Sequence, residues 1–180
     1  MSPKIEKEYA FQTAVHFENK FMINFYEITL LMEVNTDKHH EQNIAIERIN
    51  YFIENFVDSS IFVNATQDKI ISTYENAGIR VLTIPEDPYD QIIGLVLLLK
   101  LNAITEGRLL VTDCIIHSKL SSGIKFNIQY EQTESFVGDN WYCDPTCATK
   151  QNKLTSKKGK IVKLFDNDDF TSTGLVWKTT

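Results

Sequence analysis

The sequence predicts an α+β fold: an antiparallel sheet from two β-hairpins, two main helices packed on one of its faces, and a small C-terminal β extension. Three observations carry this. Apolar residues alternate with a period of two near both ends of the stretch from residue 9 to residue 132. Between those ends the period lengthens to about 3.6. Beyond it the apolar runs shorten and turn residues become frequent. The expected organisation is an α+β domain over residues 9–132 and a β-rich extension over residues 133–180.

Residues 1 to 9 read as a loose lead-in. From Tyr9 to Val34 two extended segments meet at the polar link Glu18-Asn19-Lys20. Phe11, Thr13, Val15 and Phe17 share one face of the first. Tyr26, Ile28, Leu30, Met32 and Val34 form the apolar face of the second, opposite Glu27, Thr29 and Glu33. After Asn35-Thr36-Asp37-Lys38, the stripe Ala45, Ile49, Phe52, Ile53 and Phe56 predicts a first helix over about His40 to Val57. A short segment, Ser60 to Asn64, comes next. Gln67 to Asn76 fits a small helix stopped before Gly78, and Ile79 to Ile84 is either a strand or an extended connector.

The central element is Pro85 to Gly107. Asp87 can accept hydrogen bonds from free N–H groups of a first turn, Pro88 needs no N–H at the first helical position, and Asp90 adds negative charge there. Gly107 supplies a left-handed stop. Only Gly94 and Lys100 interrupt the apolar run from Ile92 to Leu101. Such a helix needs cover on most sides. A second subunit is expected to cover the side that the sheet leaves open. A second hairpin follows, Arg108 to His117 and Gly123 to Tyr130, in which Ile124, Phe126, Ile128 and Tyr130 alternate with Lys125, Asn127 and Gln129. In the extension, Ile161 to Phe165 and Leu175 to Trp177 read as short strands, the first paired through Ser156-Lys-Lys-Gly159.

A chain of 180 residues with 43% hydrophobic and 11% aromatic residues can bury a sizeable core. A net charge of −6 and a pI near 5.2 argue against nucleic acid as a partner, since phosphate binding rests on cationic side chains. The first residues are polar, and no apolar run approaches the roughly 20 residues that span a bilayer, so the expectation is a cytoplasmic protein with no membrane contact. Three cysteines make no secreted disulfide framework. Low Gly and Pro counts with many Ile, Asn and Lys give a phage-like composition.

His16 lies among apolar strand residues and could act as ligand or base, or simply be a core histidine with a backbone partner. No second ligand stands at a suitable spacing. His39-His40 read as a solvated helix approach. Cys143 and Cys147, with Cys114 and His117, would be four zinc-competent groups, but Cys114 and His117, three apart on a strand, face opposite sides. Asp166-Asn-Asp-Asp169 lacks the glycine and glutamate of a calcium loop. Lys150 to Lys163, including Lys157, Lys158 and Lys160, is the one basic stretch, read as a solvated hairpin against the weaker alternative of a nucleic-acid surface. No metal and no cofactor are expected.

Phe11-Gln-Thr-Ala-Val-His16-Phe, Val57-Asp-Ser-Ser-Ile-Phe-Val-Asn64 and Pro85 to Ile92, in an order of hairpin, helices, hairpin, resemble the T-fold (tunnelling fold) of the 6-pyruvoyl-tetrahydropterin synthases over about residues 9 to 132. The resemblance implies a ββααββ domain that assembles from several subunits. It departs at the zinc site, where the family's His-x-His would fall on Phe21-Met-Ile-Asn-Phe-Tyr26, and at the substrate-anchoring Glu, which would fall on Ser118-Lys119. A shared fold does not carry the family's chemistry with it. The resulting expectation is a non-catalytic, homo-oligomeric protein with an assembly or binding role. The alternative is an enzyme or binder of a pterin- or purine-like small molecule at a subunit interface. Its ligand-binding residues would be His16, Tyr26, Glu27 and Glu131, with Glu131 as a displaced anchor.

Overall fold

A computed structural model describes residues 3–136, 140–146, 154–155 and 161–162. Strands β1 (Lys4–Phe17) and β2 (Lys20–Val34) form a long hairpin paired from Lys4↔Glu33 to Phe17↔Lys20. Glu18 and Asn19 both take left-handed backbone angles, as a two-residue turn between right-twisting strands requires. The segment read as a loose lead-in is therefore strand from Lys4 on. Its alternation is hard to read because Glu6 and Glu8 occupy the solvent side and Lys7 reaches across to Asn50.

Helix α1 (His39–Phe52) buries Ala45, Ile49 and Phe52 and runs into a π-helical turn, Ile53–Val57, closed by Asp58 N–H donating to Ile53 O at 2.9 Å. Strand β3 (Ile61–Asn64), helix α2 (Asp68–Asn76) and strand β4 (Val81–Ile84) follow. The last main helix, α3 (Asp90–Thr105), leads into β5 (Leu109–Ser118) and the short β6 (Phe126–Gln129). Strands β7 (Leu154–Thr155) and β8 (Ile161–Val162) pair antiparallel apart from the main sheet. The readings placed on residues 163–180, Leu175 to Trp177 among them, lie outside the described residues.

The main sheet has six strands in the order β4-β3-β1-β2-β5-β6. It is mixed, which corrects the expectation of an antiparallel sheet. Strands β1, β2, β5 and β6 are antiparallel neighbours, while β3 and β4 add parallel to one another and to the end of β1. Residues 61–63 and 81–84 are buried on both faces, so they lack the alternation that marks a half-buried strand. Helices α1 and α3 pack on one face with the main core. Helix α2 covers the other face at the β3–β4 end, over a separate apolar cluster of Ala14, Ile61, Val63 and Val81.

Helix α3 begins two residues later than its capping signals suggest. Tyr89 is its boundary residue, and Asp87 instead accepts a hydrogen bond from Asn64 Nδ2 at 2.9 Å. That bond ties the approach to α3 onto the end of β3. At its other end Glu106 and Gly107 are both left-handed. Leu97 and Leu101 are wholly buried within the single chain. The side of α3 expected to need a second subunit is covered by residues 140–146 of the same chain.

Lys100, fully buried, is the fastener. Its ammonium donates to the carbonyls of Trp141, Asp144 and Thr146 at 3.0, 2.7 and 2.7 Å and lies 5.9 and 5.8 Å from the ring centroids of Phe52 and Trp141. A buried cation is tolerated only where such acceptors replace water. Trp141 in turn donates its indole N–H to Thr83 O at 2.7 Å, which covers the β4 edge.

Among the stretches of sheet edge without a strand partner in the described residues are two that frame the antiparallel strands. Strand β1 meets β3 only at Ala14 and Val15, leaving Lys4 to Phe11 open, and β6 is the far edge.

Candidate functional site

The chain positions of the four candidate residues do not converge. His16, near the end of β1, is buried beneath α2, where its Nδ1 lies 2.8 Å from Tyr74 Oη and the two rings meet edge to face at 5.7 Å. Its Nε2 is buried without a hydrogen-bond partner, and Phe21 is its cross-strand neighbour. No cluster of His, Cys, Asp or Glu able to hold a metal ion occurs among the described residues. Glu27 is on the helix-free face, with its carboxylate 3.4 Å from His117 Nε2. The pairing Glu27↔His117 on adjacent strands makes this a cross-strand contact, and Cys114 faces the opposite side, into the core. Burial pushes the Cys114 thiol up to about 12, so it is an inert core thiol. Glu131 is exposed in the helical turns Tyr130–Phe136 after β6.

Tyr26 points into the core, stacked on Phe11 at 5.4 Å, and here the fold assembles a constellation absent from the sequence reading. Strand pairing sets Tyr26 opposite Ser118. Ser118, buried at the end of β5, donates its hydroxyl to Asp90 Oδ2 at 2.8 Å. Asp90 opens α3, where the helix dipole favours a negative charge. Buried Asn24 accepts from the N–H groups of Phe25 and Leu120 at 3.0 and 3.3 Å, and so holds the loop after β5 against β2. Burial first, and then the negative charge of Asp90, drive the Tyr26 phenol to stay protonated far above its ordinary range. Its hydroxyl lacks a hydrogen bond of good geometry among the described residues.

This arrangement holds a carboxylate in place and keeps a phenol neutral. Ser118 donates to that carboxylate and so fixes its orientation. The group can accept N–H donors of a ligand. Asp90 escaped notice as a site residue because its partner lies 28 positions away and meets it only when α3 crosses β5. Separately, a groove of about 300 Å³ runs between α3 and β6, lined by Gln91, Leu95, Phe126, Ile128, Gln132 and Phe136 among others.

The class that this fold defines is an α+β protein with a mixed six-stranded sheet and three helices. No protein-family model matches the sequence, and no curated protein matches it. Among solved structures the chain is similar to the uncharacterized protein WS1659 from Wolinella succinogenes, with a TM-score of 0.51 and 10% identity over 72% of this chain and 99% of that one. The likeness is one of fold. The chain is also similar to a 6-pyruvoyl tetrahydropterin synthase from Plasmodium vivax, with a TM-score of 0.44 and 14% identity over 70% and 97% of the two chains. No described helix is long and apolar enough to cross a membrane.

Proposed function

We propose that this chain is a T-fold-like subunit of a homo-oligomer with an assembly or binding role rather than a pterin-forming enzyme. The observation that supports it most is that the antiparallel strands leave Lys4 to Phe11 of β1 and the outer edge of β6 without strand partners among the described residues. Unpaired backbone edges favour pairing with another chain unless they are blunted. His16 adds support, because its ring is engaged by Tyr74 and flanked by Phe21 where a zinc site would need further ligands. Light scattering on the purified chain tests this reading. A mass of several subunits is expected, and a stable monomer at micromolar concentration would count against it.

The second reading is a binder of a small molecule with adjacent N–H donors, as in a pterin or purine, and the Asp90–Ser118 pair favours it. Charge-assisted hydrogen bonds to such donors are roughly twice as strong as neutral ones. Calorimetric titration with guanine and pterin would show saturable heat abolished by Asp90→Asn. No heat from either compound would leave the assembly role alone.

A further inference from the structure

We propose that the groove between α3 and β6 is a binding site for an uncharged, flat, single-ring molecule that carries an amide-like group. The site lies apart from the Asp90–Ser118 pair, and the inference holds whether or not that pair takes a ligand. Its origin is a packing constraint. At Gly94, α3 comes so close to Ile128 and Ile116 that a Cβ would clash with both. Beside that contact, Leu95 lies four and three residues on from Gln91 and Ile92, so the three share one flank of the helix. Phe136, at the end of the helical turns Tyr130–Phe136, supplies the remaining side of the space between that flank and β6.

The space is about 300 Å³, at the small end of the range for small-molecule sites. Its apolar walls are Ile92, Leu95, Phe126, Ile128 and Phe136, all of them in the main core or packed against it. Phe126 and Phe136 offer aromatic rings, against which a flat ring packs well. The polar members of the lining are Gln91, Asn127 and Gln132, and all three are carboxamides. A carboxamide brings donors and an acceptor together without charge. Gln132 is also oriented. Its Oε1 accepts the N–H of Gln129 at 2.9 Å, which leaves its NH2 group to donate to a ligand.

This lining selects among ligands. Among the described residues, no Asp, Glu, Lys, Arg or His lines the groove. A charged ligand would give up water here without gaining a counter-charge, which is costly. A pure hydrocarbon would use the walls but none of the carboxamides. An amide on a ring uses both, since its C=O can accept from Gln132 and its N–H can donate to a carboxamide oxygen.

Calorimetry with three isosteric probes tests this, because benzamide, benzoate and benzamidinium share a ring and differ in charge. Benzamide should bind saturably at millimolar concentration or below, with a Kd at least about tenfold lower than that of either ion. Ile92→Trp, which fills the groove from a half-buried position, should abolish that binding. Gln132→Leu, at an exposed position that tolerates substitution if the filler does not fold, should weaken it several-fold. No saturable heat from benzamide overturns the site, and tighter binding of either ion overturns the class of ligand. Loss of binding in Asp90→Asn but not in a folded Ile92→Trp would place the probe at the Asp90–Ser118 pair, which overturns the inference and supports the second reading above. A folded Ile92→Trp of reduced oligomer mass would make the groove the seat of a neighbouring copy and overturn it too.

Discussion

At the scale of single residues, two positions interrupt the apolar run of α3, and each has a specific cause. Gly94 sits where a Cβ would meet Ile128 Cδ1 and, at 2.8 Å, Ile116 Cγ2. Gly94→Ala should cost about 1–3 kcal/mol by overpacking, and Ile128→Val in the same chain should recover part of it, as urea midpoints would show. Lys100 is held by three carbonyls. Lys100→Met keeps much of the volume but removes the donor that joins these three carbonyls, and a loss of about 2–3 kcal/mol is expected. With Trp177→Phe as background, the same change should shift Trp141 fluorescence to the red as the segment lifts. An unshifted spectrum would mean that packing alone holds residues 140–146.

At the scale of elements, the three helices are not attached alike. Helix α3 buries Ile93, Leu97, Leu98, Leu101 and Ile104 among others, whereas α2 has no buried residue. Full burial of an aliphatic side chain contributes about 1.5–3 kcal/mol, so α2 should exchange its amide hydrogens well before α3, and equal protection would contradict this ranking. The start of α1 and the end of α3 are joined by charge. Arg108 binds both Glu41 and Glu106, and Glu106 also meets the buried Arg48 at 2.7 Å. Hydrogen bonding to Arg108 holds Glu41 below its ordinary value. For Glu106 burial pulls upward, but Arg108 and Arg48 outweigh it, so it too is lowered. A carboxylate lowered by folding stabilises the fold above its unfolded value and loses that contribution as pH falls through the folded one. Stability should therefore drop as pH falls below about 4.5, and Glu106→Gln should flatten that drop. A midpoint equally steep in the variant would remove this network from the cause.

At the scale of the whole molecule, the parts legible in the sequence are those whose signal is local. The β1–β2 hairpin and α1 each repeat their apolar residues at the period of the element, so Tyr26 to Val34 and Ala45 to Phe56 could be placed directly. Strands β3 and β4 are short and buried on both faces, and such runs carry no period. The cover of α3 leaves no local signal, because it comes from a segment 41 to 46 residues downstream that seats Trp141 and Tyr142 in the core and offers carbonyls to Lys100. The same distance hid Asp90 with Ser118. Of the four candidate residues, Tyr26 alone lies in the constellation that the fold assembles.

That long reach imposes an order on biosynthesis. At about 5–20 residues per second, the 41 to 46 residues between Lys100 and its acceptors take roughly two to nine seconds to follow it out of the ribosome. Throughout that interval α3 is a greasy cylinder with an unsatisfied ammonium on one flank, exposed to chaperones and to sister chains on the same message. A chain cut after Phe136 would remain in that state permanently. Such a fragment should collect in the insoluble fraction, while one ending after Thr146 stays in solution.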